Sequence, residues 1–272
     1  MAPGGVASAL QRSPEIRVND LHLVYGGRHQ APRPALAGID FVIPGGQFVS
    51  IIGASGCGKS TLLRLLGGLE RPTAGSVRIA GHEPHAIRAA GAIGFVPQSP
   101  ALLPWRSVSD NVALLEQIGP WGTQRLDRSG LDRWLDRVEL SAERSLLPHQ
   151  LSGGMQQRVT LARAFAIEPS LLLMDEPFSA LDELTRSHMQ ELVAGLCAET
   201  HATVVFVTHS IDEAIKLSDR VIVMGGAPGR IRADLPIDLA RPRLAGVEDT
   251  AEFRAYAAMV RGHLVHTGAS AS

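Results

Sequence analysis

Residues 53–61 read Gly53-Ala54-Ser55-Gly56-Cys57-Gly58-Lys59-Ser60-Thr61, and the segments on either side give that stretch its meaning. Before it, Phe48-Val49-Ser50-Ile51-Ile52 is short, apolar and β-branched, the composition of a buried strand. After it, Leu62, Leu63, Leu65, Leu66 and Leu69 recur at helical spacing. A glycine-rich loop between a strand and a helix is a phosphate cradle. Its glycines let successive N–H groups curl around an anion, and the helix N-terminus adds partial positive charge. Lys59 then reaches the β- and γ-phosphates, and Ser60 is placed to ligate Mg²⁺. The predicted contacts to a nucleotide triphosphate are therefore Gly53, Ser55, Gly56, Cys57, Gly58, Lys59, Ser60 and Thr61. Only two lysines occur in the chain, Lys59 and Lys216, against an arginine-dominated basic set.

Composition narrows what the nucleotide serves. A length of 272 residues with 45% apolar content supports one large domain or a core with a subdomain. The formal net charge of −1 offers nucleic acid no basic excess to bind. Cys57 and Cys197 form no disulfide framework, which suits a reducing compartment. No apolar run approaches the roughly 18 residues that span a bilayer. Residues 1–14 lack the basic start and apolar stretch of a signal peptide and are expected to be a disordered lead-in. The chain is thus expected in the cytosol, touching a membrane only through a partner.

Several segments read as parts that complete a nucleotide site. Ile16 to Tyr25 alternates like a half-buried strand, and Tyr25 at its end either stacks on a purine or closes a strand edge. Phe41–Ile43 and Ser76–Ala80 are further strands. His82 and His85 flank Glu83 and Pro84, which reads as a surface loop without a second ligand cluster. Ala92–Val96 is a buried strand that ends in Pro97-Gln98, and strand ends are where α/β sheets gather ligand-facing residues. From Ser99 to Glu168 the pattern is helical, opened by Pro100-Ala101-Leu102-Leu103-Pro104-Trp105, whose apolar side chains suit docking of another protein's helix. Ser152 is a plausible N-cap for a helix over Met155–Ala166, and Gly153-Gly154 leave its N-terminus bare for an anion. Leu171 to Glu176 delivers two carboxylates at a strand end, Asp175 for Mg²⁺ and Glu176 for activating water. A helix over Glu183–Thr200, strands over Ala202–Thr208 and Asp219–Met224, and a helix over about Thr250–Leu264 follow, with His209 at the same sheet edge as Gln98 and Asp175.

These pieces together resemble the ATP-binding subunit of an ABC transporter. Gly53–Thr61 matches the P-loop, Gln98 the Q-loop, Leu151-Ser152-Gly153-Gly154-Met155-Gln156-Gln157-Arg158 the family signature, Leu171–Pro177 the acidic strand end, Ser179–Asp182 the D-loop and His209 the switch histidine. Tyr25 falls where the family places an adenine-stacking aromatic. Met155 stands where glutamine is commoner, so contacts to nucleotide are expected from Ser152, Gly153 and Gly154.

The resemblance implies an α/β P-loop NTPase (RecA-like) core with an N-terminal antiparallel β-subdomain and an inserted α-helical subdomain. The ATP-binding domain would cover residues 15–235, with the helical part at about 99–168, and residues 236–272 would form an extension with one helix. It implies ATP and Mg²⁺ as cofactors, with Ser60, Gln98 and Asp175 around the metal and Lys59, Gln98, Glu176 and His209 as the catalytic set. Two copies would pair head-to-tail over two nucleotides and drive transmembrane permease subunits from the cytoplasmic face of the membrane. A solute-binding protein would act indirectly, and no nucleic acid would be bound. More narrowly, Ala101–Val112 and Asp175–Arg186 are similar to subunits of the nitrate, sulfonate and taurine importer group. Competing readings are a soluble ABC ATPase acting on DNA or ribosomes, and a P-loop kinase in which the signature would have no role.

Overall fold

The strand before the phosphate loop, β3 (Phe48–Gly53), is buried at all six positions. Such a strand needs cover on both faces, which is the condition for a parallel sheet. In the computed structural model, which describes residues 13–26, 31–118, 128–244 and 246–265, β3 lies inside a six-stranded sheet. Its neighbours are β5 (Ile93–Val96), β6 (Leu171–Asp175), β7 (Thr203–Thr208), β8 (Arg220–Gly225) and β9 (Arg230–Pro236), in the order β5-β6-β7-β3-β8-β9. All pairs are parallel except β8 with β9. The carboxyl ends of β3, β5, β6 and β7 therefore open on one edge, where chain reversals leave a crevice.

A second sheet of three antiparallel strands, β2-β1-β4, is built from β1 (Ile16–Tyr25), β2 (Arg33–Ile43) and β4 (Ala74–Ile79). Between the sheets runs α1 (Lys59–Leu66), which buries Leu62, Leu63, Leu65 and Leu66. These leucines share one core with Ile16, Leu21 and Ile39 of the antiparallel sheet and Leu173, Val205 and Val207 of the parallel one. Each fully buried leucine contributes about 1.5–3 kcal/mol, so the helix that follows the phosphate loop is anchored from both sides.

The opposite face of the parallel sheet carries the helical region: α3 (Val108–Val112), α4 (Leu114–Ile118), α5 (Arg128–Arg137), α6 (Gly153–Ala166) and α7 (Glu183–Thr200). Trp134, Phe165, Phe178 and Phe206 fill that core. α2 (Pro84–Ala89) occupies the segment expected as a loop, because Pro84 at the first helical position presets the backbone and Ile87 is fully buried. β2 begins at Arg33, eight residues before the predicted Phe41, and β9 and α8 (Ile211–Leu217) were not foreseen. Of residues 1–14, only Ser13 and Pro14 lie within the described residues. The Pro14 carbonyl accepts from Thr203 Oγ1 at 2.8 Å, so this last part of the expected lead-in is tied to β7.

The helix expected near the end of the chain is α9 (Ala251–Val265). Its Phe253, Ala257 and Val260 pack with Ile52 of β3, Ala214 and Ile215 of α8, and Val221 and Val223 of β8. Arg243, almost fully buried, closes the C-terminal end of α8 by donating to the carbonyls of Ile215 and Ser218 and to those of Ile237 and Leu239.

Candidate nucleotide site

The loop after β3 turns on Gly58, whose φ of 93° lies in the left-handed region and whose Cβ, were there one, would sit 2.7 Å from Leu36 Cδ2. Only glycine fits both conditions. Lys59, 5% exposed, folds over the loop and donates to the carbonyls of Gly53 at 2.8 Å and Ala54 at 3.2 Å. Ser60 Oγ donates to Asp175 Oδ1 at 2.9 Å, joining the start of α1 to the end of β6.

Asp175 ends β6 and Glu176 follows it, as the apolar run predicts. Burial pushes the Asp175 carboxyl above its ordinary range; the Ser60 bond opposes this, and the Glu176 charge adds to it. Glu176 adopts a φ of 44°, a left-handed conformation that a non-glycine residue holds only when its surroundings impose it. Its N–H donates to Val207 O at 2.9 Å, and its carbonyl accepts from Ser179 N at 3.2 Å and Ser179 Oγ at 3.0 Å. The turn aims the carboxylate into the crevice, with Oε1 3.8 Å from Lys59 Nζ and Oε2 3.0 Å from His209 Nδ1.

A cleft of about 640 Å³ opens over these groups. It is lined by Ser55, Gly56, Gly58, Lys59, Ser60 and Thr61 of the loop and first helical turn, by Gln98 and Glu176 from strand ends, and by Tyr25, Arg33, Pro34 and Ala35 of the antiparallel sheet. Tyr25 and Arg33 are cross-strand partners in the antiparallel sheet. An aromatic side chain and a guanidinium from paired positions thus line the same cleft, as does Ala227 from the turn after β8. The arginine carried no motif signal; only its pairing with Tyr25 reveals it.

Two of the predicted loop contacts lie deeper. Cys57 is 3% exposed, its thiol raised by burial and its N–H turned back to Ala54 O at 3.3 Å. Its side chain belongs to the core beneath the loop. Gly53 offers its carbonyl to Lys59. Neither lines the cleft.

Ser152 caps α6 as predicted, accepting from Met155 N at 3.2 Å. Ser152 and Gly153 are exposed, and a Cβ on Gly153 would meet nothing within 4 Å. None of Ser152, Gly153 and Gly154 is among the residues lining the cleft. The chain thus has two phosphate-suited ends, one inside a furnished cleft and one bare at the surface.

The loop predicted for docking is supported from beneath by a residue that spacing did not reveal. Asn111, fully buried, accepts from Leu103 N at 2.9 Å and donates to the carbonyls of Leu103, Arg106 and Ser107. Arg163 adds a bond to Ala101 O at 2.7 Å. Leu102 packs partly against the helical core, whereas Trp105 is 72% exposed. Of the three apolar side chains expected to offer surface, Trp105 does so most fully.

The oxygen donors Ser60 and Asp175, with Gln98 in the same cleft, suit a hard divalent cation that keeps several waters and takes phosphate oxygens. Among the described residues no group of three or more His, Cys, Asp or Glu side chains could hold a metal ion, and no helix is long and apolar enough to cross a membrane.

Residues 36–179 match the family model described as "ABC transporter". An aliphatic sulfonates import ATP-binding protein of Xanthomonas axonopodis pv. citri is 45% identical over 223 residues, covering 82% of this chain and 88% of that protein. A nitrate import ATP-binding protein of Synechococcus elongatus is 42% identical over 233 residues, covering 84% of this chain and 35% of that one. Among solved structures, an ATP-binding cassette in a dimeric post-hydrolysis state bound to ADP and Pi superposes with a TM-score of 0.71 at 32% identity, over 83% of this chain and 100% of that chain. Likeness of this depth along most of the length, on a fold whose strand ends assemble the expected cleft, leaves one conclusion: the chain belongs to the ABC transporter family and is an ATPase of that family.

Proposed function

We propose that this protein hydrolyses Mg²⁺-bound ATP between two copies of itself and uses the resulting opening and closing to drive a membrane permease that imports a small oxyanion. The observation that carries the reading is the separation of its two phosphate-suited ends. Lys59, Ser60, Gln98 and Glu176 share one cleft, whereas the Ser152–Gly154 helix end is exposed and lines no part of it. A helix end with free N–H groups is idle unless an anion arrives from outside the chain. A second copy, turned head-to-tail, brings one.

In this reading Lys59 and the loop N–H groups bind the β- and γ-phosphates, and Tyr25 stacks on the base. Ser60, Asp175 and Gln98 hold Mg²⁺, which neutralises charge on the phosphates. Glu176 takes a proton from the attacking water, and His209, already 3.0 Å from its carboxylate, keeps it aimed and contacts the γ-phosphate. Ser152, Gly153 and Gly154 of the second copy close over the same phosphate, so ATP favours the closed dimer and its cleavage removes the bridge. Trp105, held out on its Asn111-supported loop, offers the apolar anchor that a permease helix needs.

The cargo follows kinship: the two relatives are named for aliphatic sulfonates and for nitrate, both small oxyanions. Taurine is a sulfonate of the same kind, and a separate solute-binding protein would deliver it to the permease. In such an assembly the chain sits peripherally on the cytoplasmic face of the membrane.

Association tests the engine. Copies carrying Glu176→Gln are expected to form dimers by light scattering with Mg²⁺ and ATP and to remain monomers without them. Equal dimer content in both conditions would sink ATP-driven closure. Cells lacking the chain are expected to lose growth on an aliphatic sulfonate or nitrate as sole sulfur or nitrogen source; unimpaired growth on both would reject the cargo class.

A further inference from the structure

His209 is 63% exposed at its side chain, so apart from its 3.0 Å contact with Glu176 the imidazole depends for its position on the backbone that carries it. That backbone is gripped from both sides by one hydroxyl. Thr208 Oγ1 accepts from Ser210 N at 3.0 Å and donates to Glu213 Oε2, a carboxylate that is only 6% exposed. Ser210 caps α8 and accepts from Glu213 N at 3.3 Å. A serine N-cap with glutamate three residues on would ordinarily close a capping box, the carboxylate reaching the serine N–H directly. Here the Thr208 hydroxyl stands between the two, and the residue enclosed by Thr208 and Ser210 is His209.

The same carboxylate has partners on a second element. Arg186 of α7 places Nε 3.9 Å from Glu213 Oε1 and donates through Nη2 to Leu181 O at 2.6 Å. Gln190, also on α7, adds a hydrogen bond. Leu181 lies in the turn that starts from Glu176, whose carbonyl is held by Ser179. The two loops that carry Glu176 and His209 are therefore tied to one buried acid. Taking that carboxylate out of water is costly, and a helix cap alone does not require it.

We infer that Glu213 is a positioning residue for ATP hydrolysis, fixing His209 against Glu176 through the Thr208 hydroxyl. It touches neither substrate nor reacting atoms and acts through His209. The inference rests on the ATPase activity of the family and is independent of the dimer and permease reading.

Steady-state ATPase kinetics with thermal melting on the full chain test it. Glu213→Ala is expected to lower kcat by about 10-fold with KM for ATP within about twofold, because the water-activating pair loosens while the phosphate loop is untouched. Thr208→Val separates positioning from capping: Glu213 is then free to close directly on Ser210 N–H, so the melting temperature stays near the parent value while kcat falls as in Glu213→Ala. Glu213→Gln keeps an acceptor for the hydroxyl and is expected to retain about half the parent kcat or more. In a His209→Ala background, Glu213→Ala is expected to add no further loss to the residual rate. Parent-like kcat in Thr208→Val, or an equal further loss in the His209→Ala background, overturns the inference. Should Glu213→Ala fail to fold, Thr208→Val and Glu213→Gln carry the test by the same criteria. Activity of the parent in the same assay keeps this outcome distinct from failure of the ATPase reading.

Discussion

The cleft around Lys59 and the helix end at Ser152 use the same chemistry, N–H groups at a helix start, in opposite surroundings. In the cleft, the loop is joined by Tyr25, Arg33, Gln98 and Glu176 from other elements, and its lysine is 5% exposed. At the Ser152 end, the cap serine is exposed and open space surrounds Gly153. Enclosure is what turns a partial charge into a binding site, since the field of a helix end in water falls off within a turn. The enclosed end is furnished by its own chain, and the open one gains enclosure only from something that docks on it.

The largest expected effect tests the enclosed end. Glu176→Gln removes the proposed base while keeping its size, so ATP turnover is expected to fall about 10²- to 10⁴-fold with nucleotide binding retained. Parent-rate phosphate release would show that the cleft's carboxylate is not the base. Next, Lys59→Ala removes the proposed charged hydrogen bonds to phosphate and is expected to weaken ATP binding by about 10- to 100-fold in a fluorescence titration. An unchanged titration would mean that the loop N–H groups suffice.

Ser152→Arg sharpens the contrast from the open side. It is expected to leave ATP binding by a single chain within about twofold, because nothing at that end lines the cleft, while abolishing the ATP-dependent dimer. A titration weakened as much as by Lys59→Ala would mean that both ends serve one nucleotide in one chain.

Asp175 offers a smaller, thermodynamic test. Its carboxyl lies above the ordinary range chiefly through burial, so the folded chain binds that proton more tightly than the unfolded chain does. Its ionised form therefore costs stability at neutral pH, and the cost fades as pH falls through the raised value toward the ordinary carboxylate range. Asp175→Asn is expected to raise the melting temperature of the nucleotide-free protein at pH 7 by about 2–4 °C, as ~1 kcal/mol does for a chain of this size, while Mg²⁺-dependent turnover drops. A lowered melting temperature would mean that the Ser60 bond outweighs desolvation. The smallest effect on basal ATPase, within about twofold, is expected from Trp105→Ala, with loss appearing only in coupled transport.

The catalytic side of the enclosed end was legible in the sequence because Gln98, Asp175, Glu176 and His209 stand at or just past the ends of strongly apolar strands, as the phosphate loop does. Leu171–Met174 and Val204–Val207 are unbroken runs, and the residues that follow them had to emerge at one sheet edge. What escaped notice lacks such contrast. β9 alternates exposed and half-buried residues, and arginine, aspartate and proline dilute its pattern as an antiparallel edge strand. α8 is seven residues long with most of them buried, too short and too evenly covered to display a helical stripe. Spacing placed Cys57 in the loop but said nothing of direction, and its thiol points into the core. Asn111 holds backbone groups of the loop before it, and Glu213 accepts from the Thr208 hydroxyl, relations that only the folded chain brings together.

The placement of α9 has a practical side. Phe253, Ala257 and Val260 share one core with Ile52, one residue before Gly53, so the last described helix belongs to the packing around the strand that leads into the phosphate loop. Trimming it, or exchanging it for a relative's tail, would open the core that this strand shares with its neighbours. Protein engineers swapping tails between cassettes would then see nucleotide affinity drift although no contact residue had been altered.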